Sequence, residues 1–395
     1  MSRAWGDNEF LAALRAPIEM RPEEIERAEL LLSDYLHCVV SANGNQHFVT
    51  EPLTLATHLT KAASHGDLDD VNWQLLIHPG SIVNSAIFAL FLTRDIKSAR
   101  IVPAMNAGYS AANLVASIFQ AGHSKKWHAT ATSGIFGATA ASAHLLELDA
   151  KTTERALKLA SASIGGGANA SISRNGATRF TRIHATVMGV LATLEALDGA
   201  PAPDEIIDGV GGLAARFDLI DSELMKPTNA LGEISLRYFP WSGFSQGALV
   251  ALQGALPISA TEIRRVQIHT PAPIFPFVGS EEKGEWWSIA AAAKSTLLSG
   301  DPVVKNQGPA AFSVTTSNSG SSAGLIEIST ESENLTIPFS LSQDFGVDSG
   351  LLTKKWSALA GAKSLDLSRI AHRIASPSAD AQIRSDLSEL LQLNR

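Results

Sequence analysis

Residues 125–149 read KKWHATATSGIFGATAASAHLLELD, a basic pair and a histidine directly ahead of a long run of small residues. Gly134, Gly137, Ala138 and Ala141 recur every three or four positions, which places them on one side of a helix. With so little side chain there, a second helix can come unusually close. Lys125, Lys126 and His128 stand at the N-terminal mouth of this helix, where unpaired N–H groups and the helix dipole already favour an anion. The arrangement suits a carboxylate.

Outward from this stretch the pattern stays helical up to about residue 245. PEEIERAELLLSDYLHCVV (22–40) repeats apolar residues at helical spacing behind Pro22 and an acidic first turn. PGSIVNSAIFALFLT (79–93) starts with a proline whose missing N–H costs nothing there. Further helices are predicted near 106–121, 129–147, 152–163 and 183–198, the last burying a stripe of Ile183, Val187, Leu191 and Leu194. After Gly243 the character changes. EIRRVQIHT (262–270) reads as a strand, and LIEIS (325–329) with LTIPFSL (335–341) as a hairpin across TESEN. Between them WWSIAAAAKSTLLSG (286–300) reads as a helix, followed by a Gly/Ser-rich loop near 317–324; helical pattern returns from Leu351. The expected fold is mainly α: a large all-helical domain over 1–245, completed by C-terminal helices at about 375–395, and a smaller α+β domain over 246–374.

With 395 residues, 45% of them hydrophobic and 18% charged, the chain has enough material for two domains and a sizeable core. A net charge of −8 argues against nucleic acid as a partner. It leaves room for a small anionic ligand wherever positive charge is concentrated locally. The single cysteine, Cys38, excludes intramolecular disulfides and cysteine-based zinc sites and fits a reducing compartment. The start of the chain carries Asp7, Glu9, Glu23, Glu24 and Glu26 and reads as neither signal nor transit peptide. No apolar run approaches the length of a membrane span. A cytoplasmic protein without membrane contact is expected.

Four places offer chemistry. DLDDVNWQLLIHPG (67–80) sets three carboxylates ahead of His78, an acid cluster beside a possible base, or else a solvated turn and an ordinary His-Pro helix start. Lys125–His128 is the anion-binding mouth, or plain surface charge. IGGGANASISRNGATRFTRIH (164–184) breaks the helical pattern with three glycines and follows with Arg174, Arg179 and Arg182, ending on His184 at the start of the next helix. No lysine follows the glycines as a phosphate-binding loop requires, so the choice lies between a mobile loop bringing arginine to a carboxylate and a flexible surface loop. LRYFPWSGFSQ (236–246) carries Arg237, either an anion holder or a hinge salt bridge.

His78, His128 and His184 all fall at or near predicted helix starts, where a positive imidazolium is disfavoured and a neutral, proton-accepting ring favoured. Removing a proton next to a carboxylate creates a doubly charged species, which preorganised cations and dipoles would stabilise without metal or cofactor. No HxxxH or HExxH pair occurs.

In this order, the segments resemble the MmgE/PrpD family, which includes 2-methylcitrate dehydratase, cis-aconitate decarboxylase and iminodisuccinate epimerase. DLDDVNWQLLIHPG looks like the family's DFDDT…HP segment, and KKWHATATSGIFGATAASAHLLELD like its GxH-x-T…G-x-x-x-AAA-x-LLGLD segment. RFTRIHATVMGVLA is similar to TKxLHxGxAAxxG, LRYFPWSGF to KxYP, and TKKWSALAG to KFxxLA. The resemblance implies an all-helical domain with a smaller α+β lid-like domain, a homodimer, and a cofactor-free site. It places Asp67, His78 and His128 at acid–base positions, with Asp67 orienting His78. Lys126, Arg179, Arg182, Thr181, His184 and Arg237 would bind substrate. The chain departs from the pattern where Thr181 stands for a lysine, Val71 for a threonine, Ala291 for a tyrosine and Arg237 for the KxYP lysine.

The expected function is therefore a cofactor-independent lyase, of dehydratase or decarboxylase type, acting on a small di- or tricarboxylate by proton transfer α to a carboxylate. The same site could instead serve an epimerase or isomerase. The lost lysine and tyrosine also motivate a family member that binds a ligand or partner without turnover.

Overall fold

The helix Ala129–Leu145 is buried on every side, as its lack of large polar residues demands. It packs on the helices Ile101–Ser117, Thr178–Leu197 and Gly80–Thr93, each apolar enough to be buried with it. The glycines set the spacing. A Cβ on Gly137 would lie 2.9 Å from the Gly108 carbonyl oxygen, and one on Gly189 would lie 2.5 Å from the Ala138 Cβ. Buried hydroxyls within these helices turn back onto carbonyls one turn earlier, as Thr139 does on Ile135 and Thr193 on Gly189, which satisfies their protons without a partner on another helix.

The computed structural model describes residues 4–16, 19–43, 51–220, 224, 230–279, 285–340, 348–376 and 382–393. The chain divides into a helical unit, Met1–His65 with Asp69–Ile234 and Ala362–Arg395, and an α+β unit, Gly66–Leu68 with Ser235–Gly361. The division falls earlier than the expected 245 and 374. The helix Ser364–Ala375 belongs to the helical unit because Leu367, Ile370, Ala371 and Ile374 form a buried stripe and the helix packs on Pro22–Asn43. Among the described residues no helix is long and apolar enough to cross a membrane.

The α+β unit holds a four-stranded sheet of β1 (Ile263–Thr270), β2 (Ser313–Asn318), β3 (Ala323–Thr330) and β4 (Asn334–Ser340), in the order β2-β1-β3-β4. β1 runs parallel to β2 and antiparallel to β3, and β3 pairs antiparallel with β4 as the hairpin reading expects. Val266, Ile268, Ile326 and Ile328 are fully buried on one face. Helix Gln246–Ala255 packs on β4 and helix Ile289–Ser299 on β2. β2 overlaps the predicted Gly/Ser-rich loop: SVTTSN has no apolar alternation, and as an edge strand it takes its order from backbone pairing to β1.

The helix expected at 183–198 starts at Thr178, and its buried face differs from prediction. Thr181, Arg182, Ala185, Thr186, Gly189, Val190 and Thr193 turn inward, while Ile183, Val187, Leu191 and Leu194 stay half-buried. Small residues win the inner face because the neighbouring helix Ala129–Leu145 comes so close.

Candidate active site

His128 caps the N-terminus of the helix Ala129–Leu145 by its backbone alone, since its side chain makes no capping bond. The imidazole turns instead to Thr181, with Nδ1 2.7 Å from the threonine hydroxyl. That hydroxyl spends its one proton on the Thr178 carbonyl at 2.9 Å, so the ring must donate. The neutral tautomer thus carries its proton on Nδ1 and its lone pair on Nε2. Burial first, then the Arg182 charge and His78 whenever it is protonated, lower the His128 pKa to about 3, so the ring is neutral at ordinary pH.

The glycine run supports this turn. His128 N–H donates to the Gly166 carbonyl at 2.8 Å and Ala168 N–H to the Lys126 carbonyl at 2.9 Å, making a short antiparallel pairing. Gly166 has φ +110°, and a Cβ there would meet Ala131 at 2.9 Å. The glycines therefore serve as a backbone partner for Lys126–His128.

His78 lies beside the same helix mouth, with its backbone N–H 3.2 Å from the Thr130 hydroxyl. Its Nδ1 donates to the Asp70 carbonyl at 2.7 Å, which again leaves the lone pair on Nε2 in the neutral ring. The expected orientation of His78 by Asp67 is corrected here: the Asp70 backbone does it. The Asp70 carboxylate accepts from Gly80 N–H at 2.9 Å and the Tyr109 hydroxyl at 2.6 Å, and Tyr109 accepts from Asn84 at 3.1 Å. Burial raises the Asp70 pKa to about 7 against these bonds. A Cβ on Gly80 would fall 2.3 Å from Asp70 and 2.4 Å from Tyr109, so only glycine admits this network.

Arg182 and Thr181 face inward together, but Arg182 is committed to Asp69 in a buried 2.6 Å ion pair. Its positive charge still reaches His128. His184 sits in the second turn of its helix, away from the start where the sequence places it, and its Nε2 donates to the Ser163 carbonyl at 2.9 Å. It anchors the turn that leads into the glycine run. Lys126 is exposed and reaches Asp218 at 3.4 Å, so it is turned toward the surface despite its place next to His128 in sequence. Arg179 is half-buried beside Gly176.

In the α+β unit Asp67 pairs with Arg237 at 2.6 Å, the salt-bridge reading of that arginine. The Lys355 ammonium is fully buried and donates to the Leu68 and Arg237 carbonyls at 2.9 and 2.7 Å. Lys305 lies 5.0 Å from the centre of the Trp241 ring, its pKa lowered by burial and partly restored by Asp67.

Sequence reasoning missed Asp69, Asp70, Tyr109 and His123. The first two lie within the acid cluster it noticed. Tyr109 carries no local signal. His123 stacks on Phe119 at 3.8 Å, bonds Thr132 at 2.9 Å and has its pKa lowered to about 4 by burial. Among the described residues no three of His, Cys, Asp and Glu converge as metal ligands.

No curated protein matches the chain. Residues 40–219, which hold His78, His128, Thr181 and Arg182, match the family model of the MmgE/PrpD N-terminal domain. That match, over somewhat less than half of the chain, supports membership of the MmgE/PrpD family.

Proposed function

We propose that this chain is a cofactor-independent enzyme of lyase type that moves a proton on the carbon α to a carboxylate of a small di- or tricarboxylate. The observation that carries the reading is the fixed, neutral His128, whose Nδ1 proton is held by Thr181 so that Nε2 is the basic nitrogen. The match to the MmgE/PrpD N-terminal domain supports an activity of lyase type or a related one. A bound dianion would raise the low His128 basicity, because the carboxylate charge opposes the Arg182 and burial effects that depress it. His78 is the second acid–base group, and Asp70 with Tyr109 holds it in place.

A second reading rests on the two imidazoles being set alike. Each has its proton on Nδ1 and its lone pair on Nε2, which is what a two-base epimerase or isomerase needs, one ring removing the proton and the other returning one. By resemblance the working form is a homodimer, which light scattering on the purified chain would test.

Incubation with di- and tricarboxylates in D2O, followed by NMR, separates the readings. New alkene signals identify the lyase; deuterium incorporation without loss of water or CO2 identifies the epimerase. His128→Ala should lower either rate by roughly 10²–10⁴-fold with the fold intact. An unchanged rate removes His128 from the mechanism, and silence across the substrates refutes both readings.

A further inference from the structure

In the sheet of the α+β unit, Val266, Ile268, Ile326 and Ile328 are buried on one face, and alternation along the strands sends their neighbours to the other. On that second face Arg265, Gln267 and His269 of β1 stand beside Thr315 and Ser317 of β2, with His269 directly opposite Ser317. Glu327 of β3 lies opposite Gln267 and so diagonal to His269. Ser317 and His269 are half-buried and Glu327 is exposed, so the row is open to solvent.

The hydrogen bonds along this row run in one direction. The Arg265 guanidinium at 2.9 Å and the Thr315 hydroxyl at 2.5 Å both donate to the Gln267 side-chain oxygen, which fixes the amide. Its nitrogen therefore donates to the Ser317 hydroxyl at 3.3 Å. At the other end the Glu327 carboxylate can only accept, so His269 Nε2, 3.1 Å away, carries the ring proton. The lone pair of the neutral ring is then on Nδ1, and the Ser317 oxygen lies 3.1 Å from it. With the Gln267 amide donating to its oxygen, Ser317 directs its own proton at His269. Hydroxyl, imidazole and carboxylate follow one another in the order that makes a serine nucleophilic.

We propose that Ser317 is a second reactive centre of this chain, a nucleophile that takes the acyl group of an activated ester, with His269 as its base and Glu327 positioning the ring. Ser317 Oγ bonds to the carbonyl carbon while its proton passes to His269 Nδ1. The bond from that carbon to the leaving oxygen then breaks, and the leaving group departs as an anion. Glu327 stabilises the imidazolium so formed. The donor is an aryl ester or its like, because an aryloxide leaves readily and asks less of oxyanion stabilisation than an amide does. The centre belongs to the α+β unit alone and stands whether or not the His128 reaction does.

The test is incubation of the full chain with p-nitrophenyl acetate, following nitrophenolate release and mapping acetylated peptides of the acid-quenched chain by mass spectrometry. Release accompanied by an acetyl group on Ser317 is expected. Ser317→Ala should abolish that label. His269→Gln keeps a polar side chain in the row and removes the base, and should slow labelling by roughly 10²–10⁴-fold. Glu327→Gln should slow it by roughly tenfold or more with thermal stability unchanged, a split that a merely structural role would not give. An unlabelled chain, acetyl groups on other residues only, or labelling of Ser317 at the parent rate in His269→Gln overturns the assignment.

Discussion

His128 donates its Nδ1 proton to the Thr181 hydroxyl at 2.7 Å, and this contact fixes which nitrogen of the ring is basic. Thr181 stands where the resembling family pattern has a lysine. Here it accepts the Nδ1 proton of the imidazole, which an ammonium could not do; a lysine at this place would instead donate to Nδ1 and hold the opposite tautomer.

Thr181→Val keeps the shape and removes the acceptor. The ring can then adopt either tautomer, and kcat should fall roughly 10–100-fold with little change in KM, while Thr181→Ser should retain most activity. Steady-state kinetics with the substrate identified by NMR decides it; equal loss in the valine and serine variants would show that the hydroxyl is not the relevant group.

Arg182→Met strands the buried Asp69 carboxylate. The cost should be roughly 3 kcal/mol in urea unfolding, and the double variant Arg182→Met with Asp69→Leu should recover a good part of it. A single variant as stable as the parent would mean the pair adds nothing.

Three buried groups with large shifts contribute to the pH dependence of stability. His128 and His123 have folded pKa values of about 3 and about 4, below the usual 6.5, so between pH 4 and 6.5 the unfolded chain binds two protons that the folded one does not. Asp70, raised to about 7, holds one proton in the folded state that the unfolded chain has released above about pH 4. The net from these three is one proton in favour of unfolding, and His144, also lowered by burial, acts in the same direction, so stability should fall by at least about 1.4 kcal/mol for each pH unit from 6.5 down to 4. Asp70→Asn removes the opposing group. Its stability relative to the parent should rise from pH 4 to 7 and then level off. Urea titrations at four pH values measure both slopes.

Two glycine-to-alanine changes should have opposite signs. Gly137→Ala drives a methyl group to within 2.9 Å of the Gly108 carbonyl and should destabilise by about 1–3 kcal/mol despite the better helix propensity. Gly254, near the end of the helix Gln246–Ala255, has nothing within 4 Å of an added Cβ, so Gly254→Ala should stabilise by up to about 1 kcal/mol. Thermal unfolding of both variants checks the pair.

The helices were legible because small and apolar residues repeat at helical spacing, and most observed boundaries fall within a few residues of the reading. The inner face of Thr178–Leu197 was not. Hydrophobicity points to Ile183 and Leu191, whereas close approach to a neighbour selects Gly189, Ala185 and the threonines. Where each carboxylate of DLDD turns was also hidden, as was the fact that the Asp70 main-chain carbonyl is what meets His78. Gly66 and Asp67 take positive φ, 74° and 59°, and redirect the chain so that Asp67 meets Arg237 while Asp69 and Asp70 are buried in the helical unit. Tyr109 closes that network from 39 residues away in sequence, where no spacing rule reaches.

At Gly108 and Gly137 main chain rests against main chain, with Val83, Ala112 and Ala141 packed close around the contact. The beam that carries His128 is therefore clamped by its own covalent frame. A descendant of this protein seeking a new reaction would have to rewrite the hinges and rims around that beam, because the beam itself offers nothing to tune.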